Sequence, residues 1–260
     1  GHYNTAVGNG ALAANTTATE NTAVGYEALE NCVDGVNNTA LGYQALTADA
    51  GNNNTGLGYL ALRATTGAQN TAVGAQASVN MGGGANNVSL GMNSLLDVVD
   101  GSQNVAIGSQ AIGGTLGTTA DNASDLIAIG YQALGGNWEN VALTDNIAIG
   151  TSAMGGAING AINCIAIGRE TLDGVLTTGA NGTVGIGYQT LKALTSGASN
   201  TAVGYQTGND ITIGSNNTIL GYQAGATGTH DITGGSNNTL MGMQSKTNNA
   251  NASNQTVIGK

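Results

Sequence analysis

The sequence predicts an all-β fold, a parallel β-solenoid of about 15 coils with a main period of 16–17 residues. Three observations predict it. One glycine, preceded by a small and an aliphatic residue, returns at near-constant spacing along the whole chain. The columns around that glycine each keep their own chemistry. The composition lacks the large side chains of an ordinary globular core: 44 of 260 residues are Gly, Pro and Phe are absent, and aromatic residues make up 3%. Apolar content is nonetheless 40%, much of it at fixed spacing, which sets the chain apart from disordered ones.

The marker glycines are Gly8, Gly25, Gly42, Gly58, Gly74, Gly91, Gly108, Gly130, Gly150, Gly168, Gly187, Gly204, Gly221, Gly242 and Gly259. The first steps are 17, 17, 16, 16, 17 and 17 residues; later ones stretch to 22, 20, 18 and 19 before returning to 17, 17, 21 and 17. The residue before each glycine is aliphatic, such as Val7, Leu41, Ile107 or Ile167. Two before it stands mostly Ala, three before it Thr, Val or Ile, and four before it mostly Asn.

Each column implies an element. Thr-Ala-Val is a short β-branched run whose side chains alternate between two faces. The glycine ends it at a bend that needs φ > 0 or a close approach. Gln-Ala-Leu, as at 44–46, is expected to form a second short strand, and a Gly/Asn/Thr loop such as 47–53 closes the coil. Strands this short hold only when stacked, each pairing with those above and below. The Asn column forms either a ladder along the stack or a local cap on its own turn.

Both faces of Thr-Ala-Val are apolar, so both must be covered. One packs inside the coil, and symmetric self-association is the simplest cover for the other. The expectation is a parallel homotrimer with the Thr-x-Val/Ile face toward its axis.

Asn-Thr-Ala-Val-Gly and Asn-Val-Ala-Ile-Gly (Asn104 to Gly108), recurring throughout the chain, resemble the head repeats of trimeric autotransporter adhesins of the YadA type. With Gly-Tyr-Gln-Ala-Leu and Asn-Asn-Thr they also look like phage tail-fibre repeats. The resemblance implies a left-handed β-roll of three chains, an extracellular location on a virion tail fibre or bacterial surface, and attachment to a host glycan or protein receptor. The period here is longer than the adhesin repeat, which favours the tail-fibre version. Residues 1–260 read as a single repeat domain with loop insertions within 109–186 and 226–236, part of a longer fibre.

Composition excludes other classes. The net charge is −10 and only five Lys and Arg residues are present, which argues against nucleic acid. No run of about 18 apolar residues suggests membrane insertion. His2 and His230 sit in no triad or metal spacing, and no phosphate-binding loop occurs, so no enzyme is expected. Cys32 and Cys164 read as unpaired thiols. No cofactor is expected; calcium is considered on Asp34, Asp49, Asp97, Asp100, Asp121, Asp125, Asp145 and Asp173, against solvated loop charge.

The candidate binding residues are Trp138, Tyr131, Tyr188, Tyr205 and Tyr222. The insertions at 113–125, 135–145, 155–163 and 173–181 should cluster on one flank, and Trp138 lies in one of them. An exposed indole suits a sugar or receptor contact; the alternative is a ring folded over a small satellite core. The tyrosines after the glycine, including Tyr26, Tyr43 and Tyr59, should form stripes, either a structural ladder or a glycan platform, with Gln44, Gln189, Gln206 and Gln223 as a hydrogen-bonding ladder beside them. Multivalent adhesion is the leading function, and a structural spacer or filament subunit the alternative. Ice binding is a third reading, weakened because Val88, Val105, Ile127, Ile147, Ile165 and Val184 interrupt the Thr column.

Overall fold

The structure is a computed structural model that describes residues 1–96, 98–113, 122–138, 143–226 and 232–259. Its contacts divide the chain into two compact units, Gly1–Leu126 and Ile127–Lys260. Each is a parallel β-solenoid; the chain makes about 14 turns with a period near 17 residues.

The first unit stacks β1 (Thr5–Val7), β2 (Thr22–Val24), β3 (Thr39–Leu41), β4 (Thr55–Leu57), β5 (Thr71–Val73), β6 (Val88–Leu90) and β7 (Val105–Ile107) in sequence order. Thr5 faces Thr22, Ala6 faces Ala23 and Val7 faces Val24, and the same register continues upward, so each column pairs like with like. Ala23, Ala40, Ala72 and Ala106 are fully buried. The Ala face therefore fills the coil, and the Thr-x-aliphatic face points out.

The corner glycine is required twice over. Gly25 and Gly42 have φ of 136° and 144°, where an L side chain is strained. A Cβ on Gly25 would also lie 2.3 Å from the Gly42 carbonyl oxygen, because successive corners stack directly. The marker glycines thus form a column in each unit, as expected.

The second wall of the coil is not a strand. In the coil of β2, Glu27 and Leu29 take φ of 51° and 50°, the left-handed region. The Glu27 N–H donates down the stack to Asn9 O (2.9 Å) and the Leu29 N–H up to Ala45 O (3.0 Å), while the Ala28 N–H closes a turn on Gly25 O (3.5 Å). This alternation brings both Ala28 and Leu29 inward, and both are fully buried. A strand would have turned one of them to solvent. Leu in this region costs about 1–2 kcal/mol of backbone strain, less than the 2–5 kcal/mol its burial typically stabilises.

The second unit stacks β8 (Ile127–Ile129), β9 (Ile147–Ile149), β11 (Ile165–Ile167), β13 (Val184–Ile186), β14 (Thr201–Val203), β15 (Thr218–Leu220), β16 (Thr239–Met241) and β17 (Thr256–Ile258). Its insertions build a second small ladder. β10 (Ile158–Asn159) pairs in parallel with β12 (Leu176–Thr177), Ile158 facing Leu176. A 3-10 turn at Thr178–Ala180 follows. Parts of the insertions expected at 113–125, 135–145 and 226–236, together with Asp97, Asp121 and His230, lie outside the described residues.

Late in this unit the filling of the coil changes. Ile219 and Leu240 replace Ala at the inward strand position, and Gly208 and Gly225 replace Leu on the opposite wall, keeping its left-handed φ (59° and 66°). A Cβ on Gly225 would meet Leu240 Cδ1 at 3.4 Å and Ile219 Cδ1 at 3.5 Å. The strand side chains occupy the space that Leu leaves.

The buried Asn column is a ladder along the stack. Asn87 Oδ1 accepts the Asn104 N–H (2.9 Å), and Asn87 Nδ2 donates to Gly101 O (2.9 Å). The same pair of bonds joins Asn70 to Asn87 and Gly84, and Asn200 to Asn217 and Gly214. Where Asn is replaced the pattern bends. At Cys164 the backbone N–H still donates to Asn146 Oδ1 (2.9 Å), while the thiol, in place of an amide, donates to Ala180 O (3.3 Å).

Candidate functional site

With the Ala column inside, each strand presents its first and third residues outward. Not one of these positions is charged. Leu41, Val88, Leu90, Leu220 and Met241 are among the large apolar side chains left exposed. The face differs along the chain: it is Thr-x-aliphatic in β1 to β5 and in β14 to β17, and aliphatic at both positions in β6, β7, β8, β9, β11 and β13.

The tyrosines follow the corner glycines and rise beside this face. Tyr26, Tyr43 and Tyr59 stack with centroids 5.1 and 5.5 Å apart and planes 10° and 20° from parallel. Tyr188, Tyr205 and Tyr222 do the same at 5.1 and 5.3 Å, with planes at 21° and 9°. The middle ring of each ladder, Tyr43 or Tyr205, is stacked on both sides by its neighbours. Tyr131 differs. It is 50% exposed and makes no ring contact among the described residues; the next coil places Thr151 after its corner glycine.

The glutamines form the expected ladder. The Gln206, Gln223 and Gln244 side-chain amides donate to Gln189, Gln206 and Gln223 (2.9, 2.9 and 3.3 Å). Gln189 donates to Glu170 (2.7 Å), which also takes a 2.7 Å bond from Lys192 and a 3.0 Å bond from Arg169. A carboxylate only accepts, so Glu170 terminates the ladder. The Lys192 hydrogen bond, then that of Gln189, holds its pKa down at about 2. Glu27 takes the same place under Gln44, its carboxylate held low by hydrogen bonds from Tyr26 and Gln44.

No family model matches the chain. A search of curated proteins returns no match either, so the resemblance to adhesin and tail-fibre repeats stands on the repeat residues themselves.

Trp138 requires a correction. Its ring is fully buried, as are Leu143, Ile158 and Leu176, so it does not offer the exposed indole expected of a sugar contact. The described parts of the insertions carry their own buried apolar residues, and the Ile158 N–H donates to Asn137 O (3.3 Å), next to Trp138. Both cysteines are free and buried, and burial raises the pKa of each thiol. Among the described residues no group of three or more His, Cys, Asp or Glu could hold a metal ion. Asp49 and Asp100 instead accept the backbone N–H of Val33 and Gly83 on the preceding coil, each at 2.9 Å.

One rail escaped sequence reasoning. Asn52, Ser102, Ser124, Ser215, Ser236 and Ser253 each accept a backbone N–H from the coil below, at 2.9–3.2 Å. They stand two residues before the Asn-ladder position, where short hydroxyl or amide side chains recur.

Proposed function

We propose that the chain is a non-enzymatic segment of an extracellular fibre or adhesin, on a virion tail fibre or bacterial surface. In this reading three copies form a parallel trimer of left-handed β-rolls and present loops and corner residues for multivalent attachment to a host glycan or protein receptor. The observation that carries it is the uncharged, periodic Thr-x-aliphatic face. A partner covering such a face must match its rung spacing, about 4.8 Å, and another copy of the chain matches it by construction. Elsewhere the net charge of −10 keeps copies apart, so association is directed to this face. Three linked copies of a weak site raise avidity without new contacts. Tyr131, with its ring unstacked, fits a sugar-face contact better than the inner rings of either ladder.

Sedimentation equilibrium tests the assembly: a mass three times 25.5 kDa is expected, and a monomer would end the trimer proposal. Leu41→Lys with Leu90→Lys should dissociate it while leaving the circular dichroism of each chain intact. A glycan and whole-cell binding screen tests attachment, with Tyr131→Ala reducing binding more than Tyr205→Ala. A trimer that binds nothing would leave the spacer reading, and thermal hysteresis would instead favour ice binding through the outward Thr columns.

A further inference from the structure

We propose that the two tyrosine ladders are sites of oxidative cross-linking, at which neighbouring coils of one chain become covalently joined through dityrosine. The inference does not depend on the adhesin reading. Three observations carry it. The rings are held at 5.1–5.5 Å, nearly parallel, on consecutive coils. Tyr26, Tyr43, Tyr59, Tyr205 and Tyr222 are 44–52% exposed, so an oxidant reaches them. Their backbones are fixed by the hydrogen bonds of the stack, the Gln44 N–H on Tyr26 O and the Leu60 N–H on Tyr43 O (2.8 and 2.9 Å), so the phenols stay adjacent while the side chains turn.

The chemistry balances with a peroxidase and hydrogen peroxide as oxidant. Each phenol gives up one electron to the peroxidase and one proton to a nearby base; at Tyr26 the Glu27 carboxylate already accepts the phenol's hydrogen bond. Two adjacent phenoxyl radicals then form a carbon–carbon bond between positions ortho to their oxygens. Each ring regains aromaticity by moving the hydrogen of its bonded carbon to its own oxygen. In sum, two phenols and one hydrogen peroxide give one dityrosine and two waters. Holding the partners side by side makes the coupling intramolecular, which favours it over encounter between chains. Each bridge ties one coil to the next and closes a loop of about one repeat, so it opposes opening of that part of the stack.

The test is to treat the full chain with peroxidase and hydrogen peroxide. Dityrosine fluorescence should appear in chains that still run as monomers on a denaturing gel, with the intact mass lower by two hydrogens per bridge. Peptide mapping should join Tyr43 to Tyr26 or Tyr59, and Tyr205 to Tyr188 or Tyr222. The variant Tyr43→Phe with Tyr205→Phe keeps the stacked rings and the fold but removes the shared middle phenol of each ladder. Its intrachain yield should fall at least about tenfold, since the remaining phenols lie two rungs apart. Absence of dityrosine, bridges confined to Tyr3 or Tyr131, bridges only between chains, or an undiminished yield in the variant would each overturn the proposal.

Discussion

The coils around Leu29 and Leu46 and those around Ile219 and Leu240 fill the same interior from opposite walls. In the first, the strand gives Ala and the facing turn gives Leu in a left-handed conformation. In the second, the strand gives Ile219 or Leu240 and the turn gives Gly208 or Gly225. The backbone hardly changes: the left-handed φ stays at 50–54° for Leu29 and Leu46 and at 59–66° for the glycines. What the chain conserves is the volume inside the coil and the handedness of the turn, not the residue at either position. Close packing explains the first, since an unfilled coil forfeits contacts and an overfilled one is strained. The corner explains why the exchange can occur at all, because both kinds of coil bend at the same stacked glycine.

That shared corner gives the largest expected effect. Gly42→Ala and Gly221→Ala should each destabilise by more than about 4 kcal/mol, because a Cβ at either site meets the next corner's backbone oxygen at 2.3 or 2.6 Å. Urea denaturation followed by circular dichroism measures this, and similar losses at both sites are expected. A mild effect at one site only would mean that the two kinds of coil do not share a corner.

The exchange of volume can be made by hand. Leu46→Gly should cost about 3 kcal/mol, the cavity outweighing relief of the left-handed strain. The Cβ position of Gly56 lies 3.2 Å from Leu46 Cγ. Gly56→Leu alone should therefore overpack the coil, yet in combination with Leu46→Gly it should recover at least half of the loss. A double-mutant cycle reads this coupling directly, and additive penalties would break the comparison.

The same contrast shows what the sequence discloses. The corner glycines, the Thr-Ala-Val strand and its register are legible because each column constrains one residue type for one reason. The second wall is misread as a strand because Gln-Ala-Leu looks like any short apolar run. A signal was present: two adjacent inward residues, Ala45 and Leu46, do not fit strand alternation, and Gly208 and Gly225 in the Leu column point to positive φ. The Asn ladder is legible as a column, but its partners are not, since they lie about 14 residues ahead in loops of variable length. Trp138 shows the limit for the candidate site. The indole stands in an insertion outside the repeat columns, so no column of the sequence carries its burial.

A smaller effect is expected where the ladder residue itself varies. Asn87→Ala leaves the Asn104 N–H and the Gly101 carbonyl without their buried partner and should cost about 2–3 kcal/mol. At Cys164 the unit already lacks the amide, so Cys164→Asn should stabilise by about 0.5–1 kcal/mol. The two measurements should therefore have opposite signs, in urea midpoints taken under the same conditions. If both variants lose stability, the ladder position has no common requirement along the stack.

The smallest effect concerns the acidic ends of the two glutamine ladders, Glu170 and Glu27. Both folded-state pKa values are depressed, that of Glu170 to about 2 by Lys192 and Gln189. A carboxylate whose pKa falls on folding adds stability that is fully present above its unfolded value, about 4.3, and is lost as pH falls through the folded value. The contribution of Glu170 should thus be intact at pH 6 and fade between about pH 4.3 and pH 2. Glu170→Gln should flatten this part of the stability profile, while Gln189→Leu should raise the Glu170 pKa without abolishing the Lys192 pair. Carboxyl NMR titration of Glu170 reads the shift site by site. Because Glu170 stays partly in contact with solvent, added salt should weaken the dependence. A Glu170 carboxyl titrating at its ordinary value would show that the ladder ends without an ionic cap, and that the glutamines above it are held only by one another.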